Sequence, residues 1–359
     1  MARSLLLIAP PIAPLGDLRL GGVGSTIDDI VYEYSHNPLF SDVSIRILCP
    51  KGSVQTHAHL IECEGDVVAS AQTLGFTEPP AQITGTVLES YLHYLNHTGT
   101  KDEQIINFAY DPVLYDPTLT QSLPLFHYIS MGHINTHISQ SLSILAHIAP
   151  HRVAMISKAQ KETFPFSTAQ CQLLTKGIRL PDLPSEQPVV PPSLTWVSRI
   201  SPEKGLEDAF EVAALSKLRL HIIGPIQDNT YFQTTIRKYP HCSFYYHGYL
   251  KRSDLLIRLF NSHVLLLTPK WDEALGLLAL EAMACQCPVI AYNRGGYQHS
   301  IYHDQTGFLV QPDSPEAIAD CLPALSRLCR SNCRRHIERH FNLSAFCQQL
   351  LDWSQIPEN

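Results

Sequence analysis

The strongest fold signal in this chain of 359 residues is KWDEALGLLALEAMACQCPVI, residues 270–290. Two apolar runs enclose its centre, Val264–Thr268 before it and Pro288–Tyr292 at its end. Between them, every residue from 277 to 284 is apolar except Glu281. Because a helix that is apolar on all its faces is a buried helix, this stretch predicts a strand, a short loop, a buried helix and a second strand.

Apolar runs of strand length recur through the rest of the C-terminal half, with helical spacing between them. The further predicted strands are Leu194–Ile200, Arg219–Gly224, Cys242–His247 and Gly307–Val310, and the predicted helices include Glu207–Lys217 and Arg252–Phe260. Strands that are apolar along their whole length and alternate with helices are typical of a parallel sheet covered on both faces. This half is therefore predicted to be a Rossmann-like α/β domain.

The N-terminal half shows the same alternation less clearly. Its predicted strands are Leu5–Ala9, Val43–Cys49, His59–Glu62, Ile105–Ala109, Leu125–Ser130 and Arg152–Ser157, and its predicted helices include Ser25–Tyr34 and Thr86–Leu95. A proline-rich segment, residues 180–193, favours an extended linker. We therefore predict an N-terminal domain over residues 1–179, a C-terminal domain over residues 194–342, and a terminal segment, residues 343–359, that contains a helix over Leu343–Trp353.

Composition argues against several classes of function. The formal net charge is −7, whereas a nucleic-acid-binding protein presents a basic face. The ten cysteines contain no Cys-x-x-Cys pair, which favours reduced thiols over a disulfide scaffold. No apolar stretch approaches the roughly 20 residues of a membrane-spanning helix, and prolines break the apolar run at residues 5–16, unlike in a signal peptide. We expect a soluble, cytoplasmic protein without an integral membrane segment.

Two acids mark the region of the buried helix as a candidate binding site. Glu281 lies within the apolar helix, where a carboxylate is costly unless it is hydrogen-bonded, and two ribose hydroxyls would satisfy it. Glu273 lies just before the helix, near exposed backbone N–H groups that can hold a phosphate or sugar oxygen. The alternative is purely structural, with Glu281 bonded to neighbouring backbone and Glu273 stabilised by the positive end of the helix.

Two cations follow the predicted strand that begins at Leu194. Arg199 and Lys204 flank Ser201, which is placed to cap a helix, and Pro202, which is placed in its first turn. Parallel sheets bind ligands at the carboxyl ends of their strands. A planar guanidinium and an ammonium at such an end suit a diphosphate group. Two solvated surface cations are the alternative.

Glycine pairs after two predicted strands are candidates for close approach to a ligand. Gly21 and Gly22 belong to a glycine-rich loop after the first strand, which lacks the Gly-x-Gly-x-x-Gly spacing of dinucleotide-binding sites. Gly295 and Gly296 follow the strand that ends at Tyr292. Ordinary turns are the alternative at both places.

Three further patterns carry weaker signals. His133 and His137 could bind a metal if they shared a helix, but no acid or cysteine is spaced to complete such a site. The chain has no Asp-x-Asp, so a metal-clamped diphosphate is not indicated. The basic run Arg327–Arg339 predicts a solvated helix face.

The chain resembles the retaining glycosyltransferases of family four. The resemblance rests on the order and approximate spacing of four motifs: Arg199-x4-Lys204-Gly205, Glu273-x7-Glu281, Gly276 and Gly295-Gly296. It implies the GT-B fold, in which two Rossmann-like domains have parallel sheets that face each other across a cleft. It also implies that the C-terminal domain binds a nucleotide-sugar donor, that the N-terminal domain binds the acceptor, and that neither a metal nor a further cofactor takes part.

The same resemblance implies roles for single residues. Arg199 and Lys204 would hold the diphosphate, and Glu281 would hold the ribose. Glu273 would hold sugar hydroxyls, and the backbone around Gly276 and Leu277 would hold the sugar or a phosphate. From the N-terminal domain, Gly21 and Gly22 would close over the diphosphate, whereas the glycines at 295 and 296 would line the donor site. The helix over residues 343–353 would cross back to the N-terminal domain.

A more distant resemblance concerns the substrates. Asn107–Asp111, His127–Gly132, Thr163–Phe166 and Pro269–Trp271 resemble segments of bacterial pterin glucosyltransferases, which transfer glucose from UDP-glucose to tetrahydrobiopterin. This implies UDP-glucose as the donor and a small soluble acceptor such as a reduced pterin. The chain departs from the family pattern at Lys176-Gly177, Gln286 and His299. A nucleotide-sugar epimerase or hydrolase of the same fold, and a non-catalytic nucleotide-sugar-binding protein, stay open as alternatives.

Overall fold

The computed structural model describes residues 3–16, 20–70, 83–98, 103–119, 123, 125–134, 136–184 and 191–355. The chain forms two compact units, the first made of Met1–Arg179 with Leu343–Asn359 and the second of Leu180–Asn342. Each unit is built on one parallel β-sheet, so the predicted fold class of two α/β domains with parallel sheets is confirmed. Residues 17–19 of the glycine-rich loop and 185–190 of the proline-rich segment lie outside the described residues.

The first unit contains a seven-stranded sheet in the order β3-β2-β1-β4-β5-β6-β7. Its strands are β1 Arg3–Ile8, β2 Val43–Pro50, β3 His59–Cys63, β4 Gln104–Asn107, β5 Leu125–Ile129, β6 Val153–Met155 and β7 Gln172–Leu173. Its helices are α1 Gly21–His36, α2 Val87–His97, α3 Pro112–Tyr115, α4 Thr136–Ile148, α5 Lys158–Thr163 and, at the end of the chain, α13 Leu343–Trp353. The central strand β1 is fully buried from Leu5 onward, as the apolar run predicts.

The second unit contains a six-stranded sheet in the order β10-β9-β8-β11-β12-β13. Its strands are β8 Leu194–Val197, β9 Leu220–Ile223, β10 Phe244–Tyr246, β11 Val264–Leu267, β12 Val289–Tyr292 and β13 Gly307–Val310. Its helices are α6 Leu206–Ser216, α7 Asn229–Lys238, α8 Arg252–Phe260, α9 Leu277–Ala284, α10 Tyr297–Ser300, α11 Pro315–Cys321 and α12 Arg330–His340. One core cluster, which includes Trp196, Phe210 and Ile290, joins the sheet to these helices.

Both sheets reverse their strand order at one point, and these points locate the candidate sites. In the second unit the reversal falls between β8 and β11, and in the first unit between β1 and β4. Ligands of doubly wound sheets bind in the crevice that such a reversal opens at the carboxyl ends of the strands. The loop after β8 carries Arg199 and Lys204, and the loop after β11 carries Glu273. The predicted cations and this acid therefore flank one switch point.

The structure corrects several local predictions. Helix α1 begins at Gly21 instead of Ser25, so Gly21 and Gly22 form its first turn and are not part of the preceding loop. Ser201 precedes only a short 3₁₀ turn, Pro202–Lys204, and its hydroxyl makes no capping bond. It donates instead to Oε1 of Glu203, at 2.7 Å.

Two of the weaker sequence patterns have structural explanations. His133 precedes α4, whereas His137 lies in its first turn, so the shared helix that a metal pair needs is not formed. The ring nitrogen Nδ1 of His133 contacts the hydroxyl of Ser139 at 2.6 Å. In the basic run, Arg330 and Arg334 donate to backbone carbonyls, including that of Ser262 at 2.8 Å, so the run is only partly a solvated face.

In the described part of the chain, no helix is both long enough and apolar enough to span a membrane.

Candidate functional site

Lys204, Trp271 and Glu273 form the centre of the candidate site in the second unit. The ammonium of Lys204 lies 2.7 Å from Oε1 of Glu273. The indole N–H of Trp271 donates to the same oxygen, also at 2.7 Å. The Lys204 ammonium also lies over the indole, 4.1 Å from the ring centroid. The spacing of 69 residues between Lys204 and Glu273 is closed by the neighbouring positions of β8 and β11 in the sheet.

The backbone at Gly205 fixes the position of Lys204. Gly205 has a φ of 67°, the left-handed region that favours glycine. A Cβ at this position would overlap the carbonyl of Thr268, at the end of β11. The Thr268 hydroxyl donates to the Gly205 carbonyl at 2.7 Å and accepts a bond from the Trp196 indole at 3.1 Å. The turn that carries Lys204 is therefore held directly against the strand that leads to Glu273.

Gly295 and Gly296 support the loop that carries Glu273. The N–H of Gly296 donates to the Glu273 carbonyl at 2.6 Å. A Cβ at Gly295 would overlap the backbone of Glu273, and a Cβ at Gly296 would overlap that of Ala274. The close approach predicted for these glycines is thus an approach to another loop of the protein. Their contact with a ligand stays a prediction.

Helix α9 begins at Leu277, and Gly276 precedes it with a φ of 81°. A Cβ at Gly276 would overlap the ring of Tyr297, which is 3% exposed. Burial raises the pKa of the Tyr297 phenol well above its ordinary value, and the nearby Glu273 charge adds to the effect. The phenol therefore stays neutral. The start of α9 is suited to an anion, because the first N–H groups of a helix have no partner within the helix.

Glu281 has a basic partner that sequence reasoning missed. Nε of Arg252 donates to Oε1 of Glu281 at 3.1 Å, and the two side chains are 24% and 16% exposed. The ion pair compensates the cost of burying the Glu281 carboxylate. Burial of Glu281 is therefore explained without ribose hydroxyls. The only available signal was the start of α8 with an arginine, which by itself does not identify Glu281 as its partner.

Arg199 lies at the carboxyl end of β8, where its guanidinium contacts two polar side chains. One terminal nitrogen is 3.3 Å from Glu203, and the other donates to the amide oxygen of Gln227. The side chain is 34% exposed, so it reaches solvent at the strand end. The guanidinium could bind an anion in place of its contacts with Glu203 and Gln227.

Lys270, one residue before Trp271, has a different role from Lys204. Its ammonium lies 2.5 Å from Asp208 and 3.1 Å from Asp313. Asp313 also pairs with Arg294, which precedes the two glycines of the neighbouring loop. The charge of Lys270 is balanced by these two carboxylates. Because Asp313 contacts both Lys270 and Arg294, it joins the loops after β11 and β12.

The corresponding region of the first unit contains the predicted Gly21 and Gly22. Gly21 has a φ of 50°, and a Cβ there would meet nothing within 4 Å. The Gly22 carbonyl accepts from the Thr26 hydroxyl at 2.7 Å. Both glycines follow β1, at the switch point of this sheet.

Across this switch point, buried polar groups lie at the end of β4, in the loop after it and in β5. Asp111 accepts from the Val113 backbone N–H at 2.9 Å, and burial raises the pKa of its carboxyl to about 6. The Asn107 amide lies 3.2 Å from Nδ1 of His127, whose pKa burial lowers to about 3. Near pH 5, where most carboxyl and histidine side chains are charged, the Asp111 carboxyl is largely protonated and the His127 ring is neutral.

Comparison with known proteins shows a family similarity within the second unit. The family described as glycosyl transferases group 1 matches residues 185–335. This segment contains Arg199, Lys204, Glu273 and Glu281. The match covers less than half of the chain, so it shows a similarity to this family over that segment.

Curated relatives resemble this segment over limited lengths. Human alpha-1,3/1,6-mannosyltransferase ALG2 is 39% identical over 99 residues, which cover 26% of this chain and 24% of that protein. The D-inositol 3-phosphate glycosyltransferase of Pseudarthrobacter chlorophenolicus is 30% identical over 150 residues, which cover 37% of this chain and 34% of the other. The chain therefore spans about a quarter to a third of these relatives.

Solved structures resemble the chain over nearly its whole length. The Anabaena protein HepE, in complex with UDP and glucose, has a TM-score of 0.72 at 15% identity, with 98% of each chain covered. Sucrose-phosphate synthase from Thermosynechococcus elongatus has a TM-score of 0.76 at 18% identity, again with 98% of each chain covered. At such identities the likeness shows the fold, which is GT-B.

Proposed function

We propose that this protein is a retaining glycosyltransferase that moves a hexose from a nucleotide diphosphate donor to a hydroxyl of a small acceptor. The observation that carries the proposal is the Lys204–Glu273 pair at a sheet switch point, inside the glycosyl transferases group 1 segment. A cation beside the departing diphosphate and a carboxylate beside the sugar are what the transfer requires.

The chemistry follows from the charge that develops as the glycosidic bond breaks. The sugar becomes oxocarbenium-like, and negative charge collects on the departing phosphate oxygen. Lys204, Arg199 and the N-terminal amides of α9 stabilise that oxygen, and Glu273 holds sugar hydroxyls. Glu281, whose Oε1 accepts from Arg252, holds a ribose hydroxyl through its other carboxylate oxygen. The leaving phosphate accepts the proton of the acceptor hydroxyl, so no further side-chain base is needed.

We further propose UDP-glucose as the donor and tetrahydrobiopterin as the acceptor, without a metal. The support is the resemblance of Asn107–Asp111 and Pro269–Trp271 to pterin glucosyltransferases. In the structure the first of these segments begins with the last residue of β4, at the switch point of its sheet. The second contains Trp271, which donates to Glu273.

The test is to incubate the purified protein with UDP-glucose in EDTA, with and without tetrahydrobiopterin. We expect release of UDP that depends on the acceptor, and a product heavier than the pterin by one hexose, with the α-configuration of the donor retained in its NMR spectrum. Release of UDP without an acceptor would indicate a hydrolase, and an altered sugar nucleotide would indicate an epimerase. Tight UDP binding with no turnover for any donor or acceptor would support a binding protein.

A further inference from the structure

Trp271 follows a residue that is held in place by charged groups and by a backbone hydrogen bond. The residue before it, Lys270, is bound by Asp208 and Asp313, and its backbone N–H donates to the Glu203 carbonyl at 2.9 Å. The backbone at this point of the chain is therefore held next to the turn that carries Lys204.

The indole makes two contacts of different kinds. Its N–H donates to Oε1 of Glu273, whereas its ring face lies against the Lys204 ammonium. The first contact needs the nitrogen of tryptophan, but the second needs only an aromatic ring. Substitutions at position 271 can therefore separate the two.

The contacts leave the two oxygens of Glu273 in different states. Oε1 accepts from both the Lys204 ammonium and the Trp271 indole. In the part of the chain that the structure describes, no hydrogen bond reaches Oε2. With Oε1 held from two directions, the carboxylate has one orientation, and Oε2 is the oxygen left to accept from a ligand.

We propose that Trp271 is a positioning residue that orients Glu273 toward the sugar of the donor. This inference rests on the proposed function. The indole N–H contributes to recognition of the hexose by orienting Glu273. The indole ring supports Lys204, which binds the diphosphate. Two separable contacts of one side chain therefore affect binding of the donor: the N–H contact affects the sugar, and the ring contact affects the diphosphate.

The experiment compares the affinities of UDP and UDP-glucose by titration calorimetry in the wild type, Trp271→Phe and Trp271→Leu. Trp271→Phe keeps an aromatic ring for Lys204 but loses the N–H. We expect its affinity for UDP to stay within about twofold, and its affinity for UDP-glucose to fall by about tenfold or more, the effect of losing a hydrogen bond to a charged group. Trp271→Leu loses both contacts, so both affinities should fall.

A double-mutant cycle separates positioning from a general structural role. If the indole acts through Glu273, then Trp271→Phe added to Glu273→Ala causes no further loss of UDP-glucose affinity. Losses that add, equal losses for both ligands in Trp271→Phe, or wild-type affinity for UDP-glucose in that variant would each overturn the inference. Circular dichroism of the variants checks the fold.

The transfer assay, run in parallel, distinguishes this inference from the proposed function. Wild-type protein that discriminates UDP-glucose from UDP through Trp271, but transfers no hexose, would contradict the transferase while leaving the positioning role. Hexose transfer that Trp271→Phe leaves unchanged in both kcat and KM would contradict the positioning role alone.

Discussion

At the scale of single residues, the Lys204–Glu273 pair is half-buried, with side-chain exposures of 14% and 23%. We expect Lys204→Ala to lower the rate of transfer by about a hundredfold or more, as removal of one preorganised donor to a developing charge does in other enzymes. Glu273→Gln should cause a comparable loss, because the carboxylate charge is removed. Steady-state kinetics with UDP-glucose measures both effects.

The matched control for Lys204 is Lys238→Ala, which removes an exposed cation of the same unit. It should leave the rate within about twofold, because surface charges contribute little. Equal effects of the two lysine substitutions would show that net charge, rather than the position of Lys204, supports the activity.

Gly276 and Gly248 allow backbone strain and steric overlap to be separated. Both have positive φ values, 81° and 70°, but a Cβ at Gly276 meets the Tyr297 ring, whereas a Cβ at Gly248 meets nothing within 4 Å. We expect Gly248→Ala to lower the free energy of unfolding by about 1 kcal/mol, and Gly276→Ala by about 2–4 kcal/mol. Urea unfolding measures both. Equal values would mean that Tyr297 can move without cost.

At the scale of elements, Asp111 caps the short helix α3, and burial raises the pKa of its carboxyl to about 6. Because the pKa is higher in the folded than in the unfolded state, stability is lost as pH rises from about 4 to about 6. Asp111→Asn keeps an oxygen for the Val113 N–H and removes this titration. Its free energy of unfolding, relative to the wild type, should therefore increase over this window by up to about 3 kcal/mol and stay constant above it.

The difference between variant and wild type is the quantity to measure, because His127 titrates in the opposite sense. Its pKa is lowered to about 3 by burial, so the unfolded state binds more protons up to about pH 6.5, and stability rises with pH through that window. The two slopes offset each other in the wild type. If the free energy of unfolding had the same pH dependence in the wild type and Asp111→Asn, the raised pKa of Asp111 would be contradicted.

The strands were the elements most accessible from sequence, because buried parallel strands are apolar without interruption. The predicted Val264–Thr268 and Gly307–Val310 agree with β11 and β13 to within one residue. Helix α1 begins four residues before its predicted start, because glycines are typical of a loop whereas Gly21 and Gly22 begin this helix. Gln286, a departure from the family pattern, has a φ of 59° and so keeps the left-handed turn after α9 without glycine.

At the scale of the whole molecule, the acids and cations of the candidate site could be predicted, but their pairing could not. Local spacing places Lys204 and Glu273 after two strands, and only the sheet order makes those strands neighbours. The contacts of Glu281 with Arg252 and of Trp271 with Glu273 depend on side-chain orientation in loops and at helix starts. Sequence periodicity gives no information on such orientations, so these partners were missed.

The division of the chain into units predicts separable effects of removing α13. In the first unit, α13 buries Phe346 and Leu350 among other side chains, and the Tyr34 hydroxyl donates to the Cys347 carbonyl at 2.7 Å. Burial of each large apolar side chain stabilises by about 1.5–3 kcal/mol, so loss of the helix removes an amount comparable with the 5–15 kcal/mol that typically stabilises a domain. Deletion of residues 343–359 should therefore unfold the first unit at a lower temperature.

The second unit has its own core and contains Lys204, Glu273 and Arg199. We therefore expect the shortened chain to keep UDP binding, within about threefold. Hexose transfer should be lost, because the family resemblance implies an acceptor site in the first unit. Differential scanning calorimetry with and without UDP should show a low transition that UDP leaves unchanged and a high transition that UDP raises. Gln349→Ala, an exposed position on the same helix, is the control and should leave both transitions in place. If the shortened chain lost UDP binding, part of the nucleotide site would lie in the first unit. Gly21 and Gly22 would then be the candidate residues.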